Sequence, residues 1–142
     1  MRMKSTKELM DELIKAHNIS DYLKANSEYM ISSELPTYLS NILEKKGLVK
    51  SAVIRKSELS EVMGYQIFSG VRKPSRDSLI CICTAMELNL EETQAILKVA
   101  QFAQLYPQNK RDCIIISGII NNKTVTQINE LLYDNDETTL NR

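Results

Sequence analysis

The chain is poor in the residues that catalysis, disulfide frameworks and β-structure draw on. Its 142 residues hold one histidine, three cysteines, four glycines and three prolines, and its formal charge sums to zero. A lone histidine, His17, weakens any Ser–His–Asp reading, and its place near an expected helix end suits a solvated side chain. Cys81, Cys83 and Cys113 are odd in number and lack framework spacing, which argues against structural disulfides. Cys81 and Cys83 sit two apart on an expected helix and so point to different faces. With His17 remote in sequence, no metal-binding set converges, and the cysteines read as small core residues. Neither a nucleotide-binding loop nor a nucleophile–base pair stands out. The chain is therefore not expected to be an enzyme, and no cofactor is implied. The apolar run Cys113–Ile116 is far too short to cross a membrane. Residues 1–17 alternate charged and apolar side chains, without the unbroken apolar core of a secretory signal. A cytoplasmic location with no membrane contact is the default expectation.

What is present reads as helix. The chain is 43% hydrophobic and 25% charged, as in ordinary globular proteins, and its length suits one compact domain with extensions. Period-two alternation is missing. Helices are expected over 6–16 and 20–25, with 26–32 as a connector. Ser33 is a good N-cap for the next helix, in which Leu35, Tyr38, Leu39, Ile42 and Leu43 form a buried stripe. Gly47 ends that helix. Two short helices follow, 50–57 and 61–69, the second capped by Ser60. Ser75 caps a helix reaching Leu88. Asn89 and Glu92 make a capping box for a helix reaching about Gln104. Asn109 caps 110–120, and Thr124 with Gln127 opens a last helix through Leu132. The count comes to roughly eight. Residues 134–142 are polar and expected to fray.

Charge is uneven along the chain. Residues 44–76 carry eight bases against three acids, a local +5, whereas 77–103 sum to −3. A solvated face is the bland explanation. Concentration of the bases around one motif favours local contact with phosphate.

That motif is Leu48 to Ser75, LVKSAVIRKSELSEVMGYQIFSGVRKPS: a short helix, a tight turn, a second short helix and a basic loop. The spacing of Leu48, Val53, Leu59, Ile67 and Gly70, with the loop Gly70–Ser75, resembles the XRE family of lambda-repressor-like helix-turn-helix proteins. About half of the chain, Leu35 to Ala103, shares the resemblance. It implies an all-α fold: a five-helix lambda-repressor-like helix-turn-helix core with extra N-terminal helices and a C-terminal helical hairpin. The expected divisions are an N-terminal extension 1–32, a DNA-binding core 33–104, a C-terminal hairpin 105–133 packed on the core, and a flexible tail 134–142.

The resemblance also implies a function, sequence-specific DNA binding for transcription regulation, with residues 60–69 in the major groove. Ser60 would meet phosphate or a base edge. Glu61, Val62, Tyr65 and Gln66 would face the groove, Val62 against a thymine methyl and Gln66 pairing two-fold with adenine. Ser69 closes the same helix. Lys50, Arg72 and Lys73 would hold phosphate, which positions without specifying. The chain departs from the family pattern at three places. Glu58 stands where the family often has a turn glycine. Ile54 replaces a common alanine and implies a wider helix crossing. Gly64 replaces a core residue, at about 1 kcal/mol relative to alanine. Glu58 and Glu61 also bring negative charge towards the expected phosphate. An adaptor that keeps the fold for protein contacts is the alternative. The partners expected are double-stranded DNA and a second copy, since such proteins bind paired half-sites. The apolar hairpin Lys110–Leu132 serves either as core extension or as a protein-binding face.

Overall fold

A computed structural model describes residues 4–27 and 35–141. Among the described residues there are nine helices and no strand. The expected N-cap at Ser33 and most of the expected connector 26–32 lie outside those residues. The chain divides into two compact units, Met1–Ser32 and Ser33–Arg142.

The smaller unit is a helical hairpin, α1 (Thr6–Lys15) and α2 (Ile19–Ala25), opened by Ser5 and Asn18 as N-caps. A small polar network ties the two helices. The Tyr22 hydroxyl donates to the Leu9 carbonyl at 3.3 Å, and the buried Asn26 amide donates to the Glu12 carboxylate at 3.1 Å. Lys4 reaches Asn26 at 2.8 Å and Glu12 at 2.7 Å. Hydrogen bonds from Lys4 first, then Asn26, hold the Glu12 carboxyl below its ordinary range.

The larger unit holds α3 (Leu35–Lys46), α4 (Lys50–Lys56), α5 (Glu61–Ser69), α6 (Arg76–Ala85), α7 (Leu90–Val99), α8 (Lys110–Ile120) and α9 (Val125–Asp134). At its centre is α6. Leu79, Ile80, Cys81, Ile82 and Cys83 are all wholly buried, so this helix is covered on every side. Helices α4, α7 and α9 pack around it. Burial pushes the Cys81 thiol up to about 12, with Asp77 adding to the shift, and pushes the Cys83 thiol higher still. These two are the expected core cysteines. Cys113 is instead exposed, because its place on α8 turns it away from Ile115 and Ile119, which are buried.

Caps set most of the helix starts. Ser60, Ser75, Asn89, Asn109 and Thr124 each accept a backbone N–H, and Asn89–Glu92 and Thr124–Gln127 close full capping boxes. The Asn89 N–H and then Lys46, 2.9 Å away, hold the Glu92 carboxyl below its ordinary range. That contribution to stability is present at neutral pH and is lost as acid protonates the group.

Helix ends differ more from expectation. α6 stops at Ala85 rather than Leu88, and α7 at Val99 rather than Gln104. Glu87 and Gln101 turn left-handed there, with φ of 58° and 64°, and the N–H groups of Leu88 and Phe102 reach back to the carbonyls of Cys83 and Leu97. These are glycine-type stops made by other residues, at a steric cost, so sequence carries no glycine to announce them.

The tail is not frayed. Leu140 is buried, its N–H donates to Asn129 Oδ1 at 2.8 Å, and Arg111 grips the Thr138 and Thr139 carbonyls. The C-terminal hairpin lies in the same compact unit as the core. Ile115, Ile119, Val125, Ile128 and Leu132 all face inward, which makes this hairpin core extension and removes most of its apolar stripe from any partner.

Where α4 and α5 meet, Ile54 and Gly64 exchange volume. A Cβ built on Gly64 would lie 2.5 Å from Ile54 Cγ2 and 2.9 Å from Cγ1. Ile54, buried at 2% exposure, thus occupies the space that a side chain at 64 would take. The same device recurs between α8 and α9, where a Cβ on Gly118 would lie 2.5 Å from Ile128 Cγ1. Overpacking costs about 1–3 kcal/mol, more than the roughly 1 kcal/mol that alanine gains over glycine in a helix. Gly64→Ala should therefore destabilise the protein in urea titrations. In an Ile54→Ala background the same change should become stabilising, and an unchanged sign would show that the two sites are not in steric contact.

Candidate nucleic-acid interface

The turn between α4 and α5 is built from its own polar groups. Ser57 is fully buried, and its hydroxyl donates to the Ile54 carbonyl at 2.6 Å while accepting the Leu59 N–H at 3.3 Å. Glu58 then takes a φ of 63°, as a turn glycine would. Two contacts from elsewhere in the unit hold it there. The Thr126 hydroxyl donates to its carboxylate at 3.0 Å, and the Asn141 amide donates to its carbonyl at 3.0 Å. Neither contact could be read from the sequence, because both partners come from the C-terminal third of the chain. The Glu58 carboxylate therefore points to α9 rather than lying idle at the surface.

Ser60 caps α5, accepting the Met63 N–H at 3.1 Å, which leaves its hydroxyl proton for another acceptor. Ile67, Phe68 and Gly64 are buried on the inner side of α5. The outer side carries Glu61, Val62, Tyr65 and Ser69, all exposed. Val62 stands 67% and Tyr65 41% exposed. Gln66 is half-buried, and its Oε1 accepts from Arg72 Nε at 3.0 Å. Pairing two-fold with adenine would need that oxygen, so Gln66 must first release Arg72. Its bond instead orients Arg72, whose own N–H also returns to the Gln66 carbonyl at 3.2 Å.

Gly70, at a φ of 85°, ends α5 and opens the loop to Ser75. Val71, Arg72 and Lys73 are all exposed in it. Lys50, at the start of α4, sets its ammonium 5.7 Å from the centre of the Phe68 ring, a distance at which the ring attracts the cation. Lys50, Ser60, Glu61, Val62, Tyr65, Ser69, Arg72 and Lys73 thus share the α4–α5–loop region and lie open, with Gln66 tied to Arg72.

The local charge is smaller than +5. Arg76 is bound through both terminal guanidinium nitrogens to the carboxylate of buried Asp112, at 3.1 and 3.0 Å, and Lys46 is paired with Glu92. With those two bases matched by acids from outside the segment, +5 falls to +3. The Arg76 pair has a mirror. Arg111 grips Asp77 at 2.9 and 3.0 Å, so the adjacent Arg–Asp pairs that start α6 and lie in the first turn of α8 cross-bind. Arg76 also donates to the Ala103 and Gln104 carbonyls, and Asp112 accepts the Tyr106 N–H. This clamp locks the end of the basic loop to α8.

A cleft of about 630 Å³ opens beside the turn, with Lys56, Glu58, Glu87, Ile119, Lys123 and Thr126 in its wall. Among the described residues, no three His, Cys, Asp or Glu side chains converge as metal ligands, and no helix is long and apolar enough to cross a membrane. No protein-family model, curated protein or solved structure matches the chain.

Removing one member of a buried, doubly bonded pair leaves the other charge uncompensated. Arg76→Ala should lower unfolding free energy by about 3 kcal/mol, against about 1 kcal/mol for the more exposed Asp77→Ala, both read by urea denaturation followed by circular dichroism. Equal losses at the two sites would contradict the asymmetry in burial.

Proposed function

We propose that the chain is a sequence-specific DNA-binding transcriptional regulator with a lambda-repressor-like helix-turn-helix core, in which α5 enters the major groove. The observation that carries this reading is the outer face of α5. It is open, it is bordered by Lys50 on one helix and Arg72 and Lys73 in the following loop, and it presents side chains suited to base edges. Val62 offers an apolar surface for a thymine methyl, and Glu61 can accept from cytosine. Arg72, oriented by Gln66, and Lys73 supply phosphate contacts that fix register. Glu58 in the turn takes the left-handed conformation that the motif requires, which supports the same reading.

The alternative is a protein-interaction adaptor on the same fold. A specific observation favours it: Val49, Val62 and Val71, on or flanking α4 and α5, are exposed at 64%, 67% and 77%, an apolar cast that protein partners share with DNA readers.

Salt separates the two. With Lys50, Arg72 and Lys73 as the phosphate contacts, affinity for a random duplex should fall with salt at a log–log slope of about −3 per chain. Arg72→Ala with Lys73→Ala should flatten that slope by about 2. Fluorescence anisotropy at low salt is the first measurement, and complete absence of binding there removes the regulator reading in favour of the adaptor. Selection from a random DNA pool should then return a defined site that changes with Val62 and Tyr65 but not with Lys73.

A further inference from the structure

The cleft of about 630 Å³ in the larger unit is lined by the end of α4 and the turn after it, the ends of α6 and α8, and the start of α9. Small-molecule sites run from about 300 to 1,000 Å³, so the space suits a ligand. Its wall has two characters. Ala85, Leu88, Ile119 and Val125, all buried, supply an apolar part. Lys56 and Lys123 face the same space as Glu58 and Glu87. None of these four charges is in an ion pair among the described residues. Of their side chains only that of Glu58 is hydrogen-bonded, to Thr126.

The backbone around the cleft is unusual. Among the described residues, five other than glycine take a positive φ, and three of them, Glu58, Glu87 and Asn122, line this one cleft. Glycine would serve at each without steric cost, and strain of this kind gathers at ligand sites. Glu58 uses its side chain to bond α9. The side chains of Glu87 and Asn122 make no bond to any described residue, so what they hold lies outside the chain. We propose that the cleft binds a small amphoteric molecule with an apolar body, of the class of an apolar amino acid or dipeptide. The ligand's carboxylate meets Lys123 and Lys56, helped by the N–H groups of Val125 and Thr126, which begin α9 and have no intrahelical acceptor. Its ammonium meets the carboxylate of Glu87 and the side-chain oxygen of Asn122. Its apolar body covers Leu88, Ile119 and Val125. With both signs unpaired in one wall, a simple anion or cation would sit against a like charge, whereas an amphoteric ligand satisfies both. This site does not rest on DNA binding.

Calorimetric titration of the full chain with L-leucine, L-phenylalanine and leucyl-leucine, each to about 5 mM, tests it, and the dipeptide arm separates a peptide source from a free amino acid. At least one should bind. Its N-acetyl and C-amide derivatives, each lacking one charge, should bind roughly ten-fold more weakly or worse. Lys123→Ala should cost a similar factor. Glu87→Gly is the sharper variant, because glycine suits the left-handed backbone there and the melting temperature should not fall. Binding should nonetheless weaken roughly ten-fold, and the N-acetyl derivative should no longer be disfavoured. No binding by any of the three probes overturns the proposal. An N-acetyl derivative that binds wild type as tightly as its parent overturns it equally. So does undiminished binding in both Glu87→Gly and Lys123→Ala, which would place the ligand elsewhere.

Discussion

Everything in the larger unit is arranged around the burial of α6. A helix whose Leu79–Cys83 segment is apolar on all sides has no face for water and must be wrapped by others. α4 covers one flank, α7 another and α9 a third, so the C-terminal hairpin is part of the same core as the helices that precede it. The cross-bound pairs Arg76–Asp112 and Asp77–Arg111 then fix how the N-terminal end of α6 meets α8. Their value is chiefly geometric. Ion pairs of this kind contribute modest net stability but punish any arrangement that separates them.

The proposed reading surface inherits its rigidity from that core. α4 is held against α6, and α5 is held against α4 by the seating of Ile54 into the space above Gly64. The turn between them is pinned from outside by Thr126 and Asn141, residues that belong to α9 and the tail. A segment that looks autonomous in sequence is thus braced by the far end of the chain. The bracing explains how a glutamate persists in a left-handed conformation: the strain at Glu58 is offset by hydrogen bonds to both its carboxylate and its carbonyl.

Much of the helical plan was legible. The capping residues Ser60, Ser75, Asn89, Asn109 and Thr124 announce helix starts through a local chemistry that needs no tertiary partner. The ends were less so, because Glu87 and Gln101 stop their helices without glycine. The run Leu79–Cys83 held the signal for a central helix, since five successive apolar residues on a helix leave no polar stripe. Cys113 was misjudged because a cysteine's burial depends on which way its helix turns, not on its type. On the candidate site, exposure of Glu61, Val62 and Tyr65 followed from the spacing of Ile67 and Phe68 inward. The bond of Gln66 to Arg72 did not, as it depends on how the Gly70 loop folds back.

Sequence alone determined that the chain is helical, where most helices begin, and which stretch gathers positive charge, because caps, periodicity and composition act over a few residues. Tertiary structure decided which of those charges stay open. Arg76 and Lys46 lose theirs to acids brought in from α8 and α7, while Lys50, Arg72 and Lys73 keep theirs. It also decided that Gly64 is the partner of Ile54 rather than a defect, and that the last residues close over the turn. These outcomes rest on volumes and partners that meet only when distant segments pack, and no local pattern encodes them.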